Sequence, residues 1–586
     1  MYHLQPASQL VCSNSPWQSF GLLIALPVAQ LTIRAVNHVR QQGIKGAVCG
    51  LARSVAWLFP CVREKYQRKI GKQFKEFQKH TRKKWGNFGD PILMIPEKGL
   101  SDEQLRDLIR RYEEATLQAV GNQHLSGAIY SNSLREAVPE TDFKGLDNHS
   151  SCDEIHTLAF RVSRLWNPLH TKEFAAGSFI YHQLVMMVAS QFGSTPFNVT
   201  GYVTSGGTES LMTAARAYQQ WGVREKGLAP EECFIVAPDS IHAALVKAQK
   251  AYNFQLVLVP TLDNGRVNWR EFQQIARSHK RNLVAIFGST PSYSKGVIDP
   301  IPKMGLLASE LECGLHVDAC LGFLHVDFVA KEEYLKMEGV TSLSADPHKY
   351  GLAPKGCSVL VTSQMPRGKN LAFYPVFSIP GWSGGIYGTA TNAGSQSCVS
   401  AFCALLGLLK MGKAGYRKLA KEVHNTAIAL HDVIDALESL KSLGQPDANV
   451  VAFRINPALP FEPGAIYAFT HLMEKRGFTC NNLAHEAAHF CVTPRNVQDP
   501  EFVSKFNAAA QASLIELAEL NEKRQRQGTP FPGEAGIYGE IGAALEPSQA
   551  SLSSSQYLEN EVFGEMGAND AVAAYLVATS NPWLMA

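Results

Sequence analysis

Gly201-Tyr202-Val203-Thr204-Ser205-Gly206-Gly207-Thr208-Glu209-Ser210 is the stretch on which the architecture turns. Gly201 to Ser205 reads as a short strand, the paired glycines turn the chain, and the pattern from Leu211 to Trp221 is helical. Strand, turn and helix in that order open a βα unit and form a cup for a phosphate. Glycine lets the backbone approach an anion, Ser205 and Thr208 offer hydroxyls, and the helix start presents free N–H groups at the positive end of its dipole. A glycine turn without a ligand would read the same way by itself. Outward from this unit, strand-like runs at 233–237, 254–259, 283–288 and 314–318 alternate with helical stretches near 240–252, 268–279 and 301–313. That rhythm predicts an α/β fold, a mainly parallel sheet with helices on both faces, whose ligands gather at strand ends. A long helical pattern from Val399 to Leu437 leads into strands near 449–455 and 489–493 and helices near 464–476 and 500–525, a smaller C-terminal α+β domain.

Three more chemistry-bearing residues follow the cup in chain order. His242 comes after the strand-like Cys233 to Ala237, Asp318 sits in the apolar run Leu315-His316-Val317-Asp318-Ala319-Cys320, and Lys349 ends Asp346-Pro347-His348-Lys349. A lysine amine can form a Schiff base with an aldehyde cofactor. A buried carboxylate can keep a pyridine nitrogen protonated, which makes the ring an electron sink, and an imidazole can stack on that ring. Each residue alone also fits an ordinary role as a solvated lysine, a capping carboxylate or a helix-start histidine. In combination with the cup they point to pyridoxal 5′-phosphate.

Longer motifs sharpen this. Ser126-Gly127-Ala128-Ile129-Tyr130, Asn167-Pro168-Leu169-His170, Val203 to Ser210, Gly288-Ser289-Thr290-Pro291, Gly296-Val297-Ile298-Asp299-Pro300, His316 to Gly322, Ser344 to Gly356 and Gly384-Gly385-Ile386-Tyr387 span roughly 120–390, with weaker similarity through His489-Phe490-Cys491-Val492-Thr493 to Gly536-Ile537-Tyr538-Gly539. In these residues the chain resembles the sphingosine-1-phosphate lyases, in the group of pyridoxal phosphate enzymes that also holds glutamate and aromatic amino acid decarboxylases. The resemblance implies the pyridoxal phosphate-dependent transferase fold of aspartate aminotransferase type I. It also implies retro-aldol cleavage of the C2–C3 bond of a phosphorylated sphingoid base to a fatty aldehyde and phosphoethanolamine.

By the same resemblance Lys349 is the Schiff-base lysine, Asp318 the pyridinium partner, His242 the ring stacker, and Ser205, Gly207, Thr208 and His348 cofactor-phosphate contacts. Asn167, His170, Tyr130 and Lys355 gather around the substrate phosphate and the reacting hydroxyl, with Tyr130 among the catalytic groups. Gly384 and Gly385 reach the cofactor from the second subunit of a homodimer with composite sites. Lys355 also fits a salt-bridge role. Two departures from the family pattern stand out: Pro347 replaces an expected threonine, and Leu321-Gly322-Phe323 holds one glycine where two are expected. Neither removes a chemical group. An amino acid decarboxylase would share Asp318, His242 and Lys349 but would need a pocket for a substrate carboxylate, and a catalytically dead membrane-bound scaffold would need a missing group.

Composition agrees with a large enzyme. A chain of 586 residues, 45% hydrophobic and 18% charged, can bury more than one core, and a net charge of +3 carries no nucleic-acid footprint. Twelve cysteines without a C-x-x-C pair fit reduced thiols in a cytosolic catalytic domain, with neither a disulfide framework nor a metal site. The N-terminus differs in kind. No Asp, Glu, Lys or Arg precedes Arg34, and Trp17 to Ile33 is mostly apolar, at the short end of what spans a bilayer. A buried or surface amphipathic helix is the alternative. Ile44 to Cys61 reads as an interfacial helix, and Arg63 to Lys84 carries ten Lys or Arg against Glu64 and Glu76, which favours an anionic lipid surface with the catalytic domain on the cytosolic side. The expected location is membrane-associated, endoplasmic reticulum-like in a eukaryotic cell, with soluble cytoplasmic as the alternative. The expected divisions are a hydrophobic segment at 1–60, a basic linker and helical segment at 61–165, a large cofactor-binding domain at 166–390, a small domain at 391–530, and a Gly-, Pro-, Ser- and Ala-rich tail at 531–586.

Overall fold

The computed structural model describes residues 92–120, 152–171, 173–194, 199–325, 333–366, 368–529 and 531. The expected membrane segment, the basic stretch, Tyr130 and the tail beyond Phe531 lie outside the described residues. Among those described, no helix is long and apolar enough to cross a membrane.

Helices α1 (Asp102–Val120), α2 (Cys152–Ser163) and α3 (Ala175–Gln191) precede a seven-stranded sheet. Its strands are β1 (Thr200–Thr204), β2 (Phe234–Pro238), β3 (Gln255–Val259), β4 (Leu283–Ser289), β5 (Gly314–Ala319), β6 (Val340–Ala345) and β7 (Ser358–Thr362), in the order β1-β7-β6-β5-β4-β2-β3. β7 runs antiparallel to both of its neighbours, and the other pairings are parallel. Helices α4 (Gly207–Glu225), α5 (Ala244–Tyr252), α6 (Trp269–Ser278) and α7 (Ile301–Glu310) form the crossovers. Every residue of β4, β5, β6 and β7 is buried, so both faces of the sheet are covered. This is the mainly parallel α/β sheet expected from the alternation. Two boundaries differ: α4 starts four residues earlier than the apolar pattern because its polar first turn has no apolar face to detect, and α5 starts only after His242.

Among the described residues, a hairpin of β8 (Phe377–Trp382) and β9 (Gly385–Thr389) forms a separate two-stranded sheet. Helix α8 (Val399–Ala436) packs on α2 and α3, and it is broken at Gly412, where residues 96–100 bond to its exposed backbone: Lys413 N–H donates to the Pro96 carbonyl at 2.8 Å and Leu100 N–H to the Leu409 carbonyl at 2.8 Å. Beyond it β10 (Leu440–Ser442), β11 (Val450–Ile455), β12 (Asn481–Leu483) and β13 (Ala487–Cys491) form an antiparallel sheet in the order β10-β11-β13-β12, covered by α9 (Ala465–Lys475) and α10 (Phe502–Gln527). Leu321 and Tyr350, both on loops of the large sheet, are buried in the core of this C-terminal unit. The Tyr350 hydroxyl donates to the Val492 carbonyl at 2.6 Å and takes a bond from the Asn449 amide.

Candidate active site

Because β7 reverses between β6 and β1, the C-terminal ends of β1, β6, β5, β4 and β2 all lie along one edge of the sheet. The loops leaving that edge enclose a cavity of about 270 Å³ lined by Ser205, Gly207, Thr208, His242, Asp318, His348 and Lys349, among others. All seven are residues that the sequence motifs lead one to expect at the cofactor. Five further polar side chains, for which the sequence offers no role, line the same cavity: Glu209, Ser289, Tyr293, Cys320 and Asp346.

The cup after β1 is held from within. Gly206 caps α4 without a side-chain hydrogen bond, and Gly206, Gly207, Thr208 and Glu209 at this helix start line the cavity. A Cβ on Gly207 would fall 2.9 Å from Asp346 Oδ2 and 2.9 Å from Cys320 Sγ, which is why α4 can begin so close to the lysine loop only with glycine there. Buried Glu209 bends back: its Oε2 accepts from the Ser205 N–H and hydroxyl, each at 2.8 Å, while Oε1 accepts from the Asn392 N–H at 2.9 Å.

Lys349 closes a turn, its N–H donating to the Asp346 carbonyl at 3.0 Å, and Pro347 supplies a fixed φ inside that turn. The departure at Pro347 therefore stiffens the lysine's own loop. Lys349 Nζ lies 3.1 Å from Asp346 Oδ2, which also faces His348 Nε2 at 3.4 Å. Burial alone would lower the lysine, but Asp346 first and then Asp318 hold it above its ordinary value. Burial would likewise raise Asp346, and His348 with Lys349 brings it down to about 2. Burial pulls the half-buried His242 imidazole below its ordinary value, with Asp318 and Asp346 opposing, so the ring is neutral at pH 7. Its Nδ1 accepts the Ala244 N–H at 3.1 Å, and its ring meets Tyr293 edge-on at 6.4 Å. Asp318 uses Oδ1 for the protein, accepting from the Cys320 N–H at 3.0 Å and the Ser344 hydroxyl at 3.4 Å. Beneath the cavity, fully buried Asp299 accepts the Ser289 N–H at 2.7 Å and is pushed up to about 7 by burial.

The other assigned residues that are described, Asn167, His170, Lys355, Gly384 and Gly385, do not line this cavity. Lys355 donates to the His348 carbonyl at 3.3 Å. Asn167 bonds Ser395 and Gln396 beside a second cavity of about 490 Å³, which is larger but holds none of the reactive groups. His170 follows Asn167 there, its N–H bonded to the Asn167 carbonyl at 3.0 Å. Gly384 and Gly385 lie exposed at the tip of the β8–β9 hairpin.

The reactive cavity fits pyridoxal phosphate. It offers a helix start for a phosphate, an amine for an aldehyde, a carboxylate oxygen for a ring nitrogen and a neutral imidazole for a ring face, and Asp346 Oδ1 is buried there without a protein hydrogen bond. Fold and site together define the class of pyridoxal phosphate-dependent enzymes, and residues 188–489 match the Aminotransferase class-V family model. Sphingosine-1-phosphate lyase 1 of Mus musculus is 35% identical over 478 residues, 80% of this chain and 77% of that one, and its Rattus norvegicus counterpart is 30% identical over 479 residues with the same coverage. The solved sphingosine-1-phosphate lyase of Burkholderia pseudomallei superposes with a TM-score of 0.57 at 25% identity, covering 74% of this chain and 95% of that one. The chain belongs to the sphingosine-1-phosphate lyase family.

Proposed function

We propose that this chain cleaves the C2–C3 bond of phosphorylated long-chain sphingoid bases such as sphingosine 1-phosphate, giving a fatty aldehyde and phosphoethanolamine by pyridoxal phosphate-dependent retro-aldol chemistry. The observation that carries the reading is the convergence of the glycine cup, His242, Asp318 and Lys349 on one cavity. When bound, pyridoxal phosphate supplies an aldehyde for amines and an electron-withdrawing ring. Lys349 would hold it through its amine and would be the group that a substrate amine replaces. The α4 start, with Gly207, Thr208, Ser205 and His348, would receive the cofactor phosphate, His242 would cover the ring, and Asp318 would hold the proton on the ring nitrogen. Asn167, His170, Lys355 and Tyr130 take the substrate phosphate and the C3 hydroxyl, fixing which bond stands across the ring face. A base near the cofactor would take the C3 hydroxyl proton as the C2–C3 bond breaks and the aldehyde forms, and an acid at the site would return a proton to C2 before phosphoethanolamine departs.

Two finer proposals accompany this. The active species is a homodimer in which the exposed Gly384–Gly385 tip completes the neighbour's site, and the N-terminal segment contacts a membrane with the catalytic domain on the cytosolic side. Cosedimentation with vesicles, before and after removal of residues 1–60, tests the second: an active truncation that stays in solution supports it, and full-length protein that never sediments refutes it. The decisive assay for the reaction incubates the protein with a phosphorylated long-chain base and measures both products. Release of carbon dioxide without aldehyde would favour decarboxylation instead. Borohydride reduction and peptide mapping should label Lys349, and Lys349→Ala should lose both label and turnover.

A further inference from the structure

Behind Asp318 the core holds an unbroken line of polar side chains that reaches away from the cavity. Ser344 Oγ lies 3.4 Å from Asp318 Oδ1, and 3.1 Å from His316 Nε2. His316 Nδ1 lies 2.7 Å from Ser342 Oγ, which lies 2.6 Å from the Tyr218 hydroxyl, and Thr341 Oγ1 is 2.8 Å beyond. His316, Ser342, Ser344 and Tyr218 are all fully buried. Gly314 makes room for the far end, since a Cβ there would stand 2.3 Å from the Tyr218 ring. Such groups in a core otherwise built of Val, Leu and Ala need a reason, because a buried polar chain that is only partly satisfied is worse than an apolar one.

Proton counting gives the chain a direction. An ionised carboxylate accepts only, so the single Ser344 proton goes to Asp318. Ser344 then accepts from both of its other neighbours, the Cys320 thiol at 3.2 Å and His316 Nε2, and Nε2 must carry a proton. Burial holds His316 down to about 4, so the ring is neutral and its Nδ1 is an acceptor. Ser342 therefore donates to Nδ1, Tyr218 to Ser342, and Thr341 to Tyr218. The opposite polarity would give up a bond to a charged group at one end and gain only the Leu315 carbonyl, 3.4 Å from Thr341 Oγ1, at the other.

We propose that His316, in its Nε2–H form, is a positioning residue for the reaction: through Ser344 it directs a hydrogen-bond relay from Thr341, Tyr218 and Ser342 onto Asp318, fixing that carboxylate's orientation and supporting its charge toward the ring nitrogen. The relay touches neither substrate nor cofactor. It rests on the reading that Asp318 faces a pyridine nitrogen. Both Oδ1 donors come from the protein side, Cys320 N–H and Ser344, so Oδ2 is the oxygen turned to the cavity.

The test uses the full chain loaded with pyridoxal phosphate and compares wild type, Ser344→Ala, His316→Phe and the double variant. The first readout is the pH midpoint of the visible absorption of the lysine-bound cofactor, without substrate. A less firmly protonated ring withdraws electrons less, so each single variant should move the midpoint upward by about 0.5 to 1 pH unit, an effect of the size expected for the net loss of one ordinary hydrogen bond. kcat should fall about tenfold with KM within about twofold, and the double variant should be no worse than the more affected single one, because both act through one chain. An unmoved midpoint in Ser344→Ala, or effects that add in the double variant, overturns the relay. Ser344→Ala removes one oxygen and keeps the test decisive if His316→Phe does not fold. Borohydride labelling separates the two levels: with Lys349 labelled in every protein and the midpoint unmoved, only the relay fails, whereas a wild-type chain unlabelled at Lys349 overturns the cofactor reading and the relay with it.

Discussion

Replacing Asp346 with asparagine keeps the shape of the turn beside Lys349 and removes its charge. The wild-type carboxyl is almost wholly buried, and although burial alone would raise it, His348 and Lys349 hold it at about 2 against an ordinary 3.8. At about 1.36 kcal/mol per pH unit, its surroundings favour the ionised folded form by about 2 kcal/mol. His348 shares that sum, so about 1 kcal/mol belongs to the pairing with Lys349. The pairing is mutual, and the lysine proton is held less tightly by the same amount in the variant. Capture of pyridoxal phosphate needs the free amine, so the pH profile of visible-band formation on adding cofactor to apoprotein should move down by a little under about one pH unit. The stability effect has a definite sign. A depressed carboxyl stabilises the fold above its unfolded value and loses that contribution as pH falls through about 2, so Asp346→Asn should unfold more easily than wild type at pH 7 and pH 5, with the gap closing only between 3.8 and about 2. Stopped-flow absorbance from pH 6 to 10 reads the first effect and thermal unfolding the second. A capture profile that stays in place or moves upward would refute the argument.

Glu209→Gln turns an amide NH₂ toward the Asn392 N–H or toward Ser205, leaving one donor facing another; a buried orphan of that kind costs about 1–3 kcal/mol, so the cofactor dissociation constant, read by fluorescence titration, should rise about tenfold or more, and an unchanged value would show that the link to the 389–396 loop does not support the cup. Asp299, held at about 7 by burial, is a raised carboxyl whose contribution is lost as pH climbs toward that value; Asp299→Asn escapes this, and its stability relative to wild type should improve by about 3 kcal/mol between pH 5 and pH 9, whereas a pH-independent difference in thermal unfolding would contradict the buried-acid account. In the proposed dimer, mixing Lys349→Ala with Gly385→Val, a substitution at φ +110° that side chains rarely adopt, should restore about a quarter of wild-type activity, because about half the dimers are mixed and each mixed dimer has one intact site; no recovery after proven subunit exchange would count against composite sites.

Much of this could be read from the chain because the informative segments are locally self-consistent. β2, β4 and β5 are short apolar runs buried on both faces, and they stand out against helical stretches of different period. The same alternation puts His242 and Asp318 at strand ends, so their meeting follows once the sheet is parallel. β6 and β7 escaped notice: Val340–Ala345 is half serine and threonine, and its polar side chains make sense only once His316 and Tyr218 are seen against them. Asp346 has no role that its motif reveals, since nothing in the order of residues says that its carboxylate, rather than that of Asp318, contacts the lysine. Glu209 in a first helical turn reads as a partner of the helix dipole, whereas its carboxylate folds back onto Ser205 and across to Asn392. Asn167 meets Ser395 and Gln396 more than 200 residues away in the chain, and Gly384 and Gly385 belong to the proposed dimer contact, so no local pattern encodes them.

Tyr350 gives the two halves of this enzyme a common fate. The residue next to the proposed anchoring lysine is sunk in the C-terminal core and bonded to Val492 and Asn449, so the backbone that carries Lys349 is stretched between two sheets like a string tied at both ends. A fragment ending near residue 390 would keep every residue that lines the reactive cavity yet leave Tyr350 and Leu321 unburied and the lysine loop slack. The C-terminal unit is therefore no detachable module: shortening or exchanging it would be felt first at the amine.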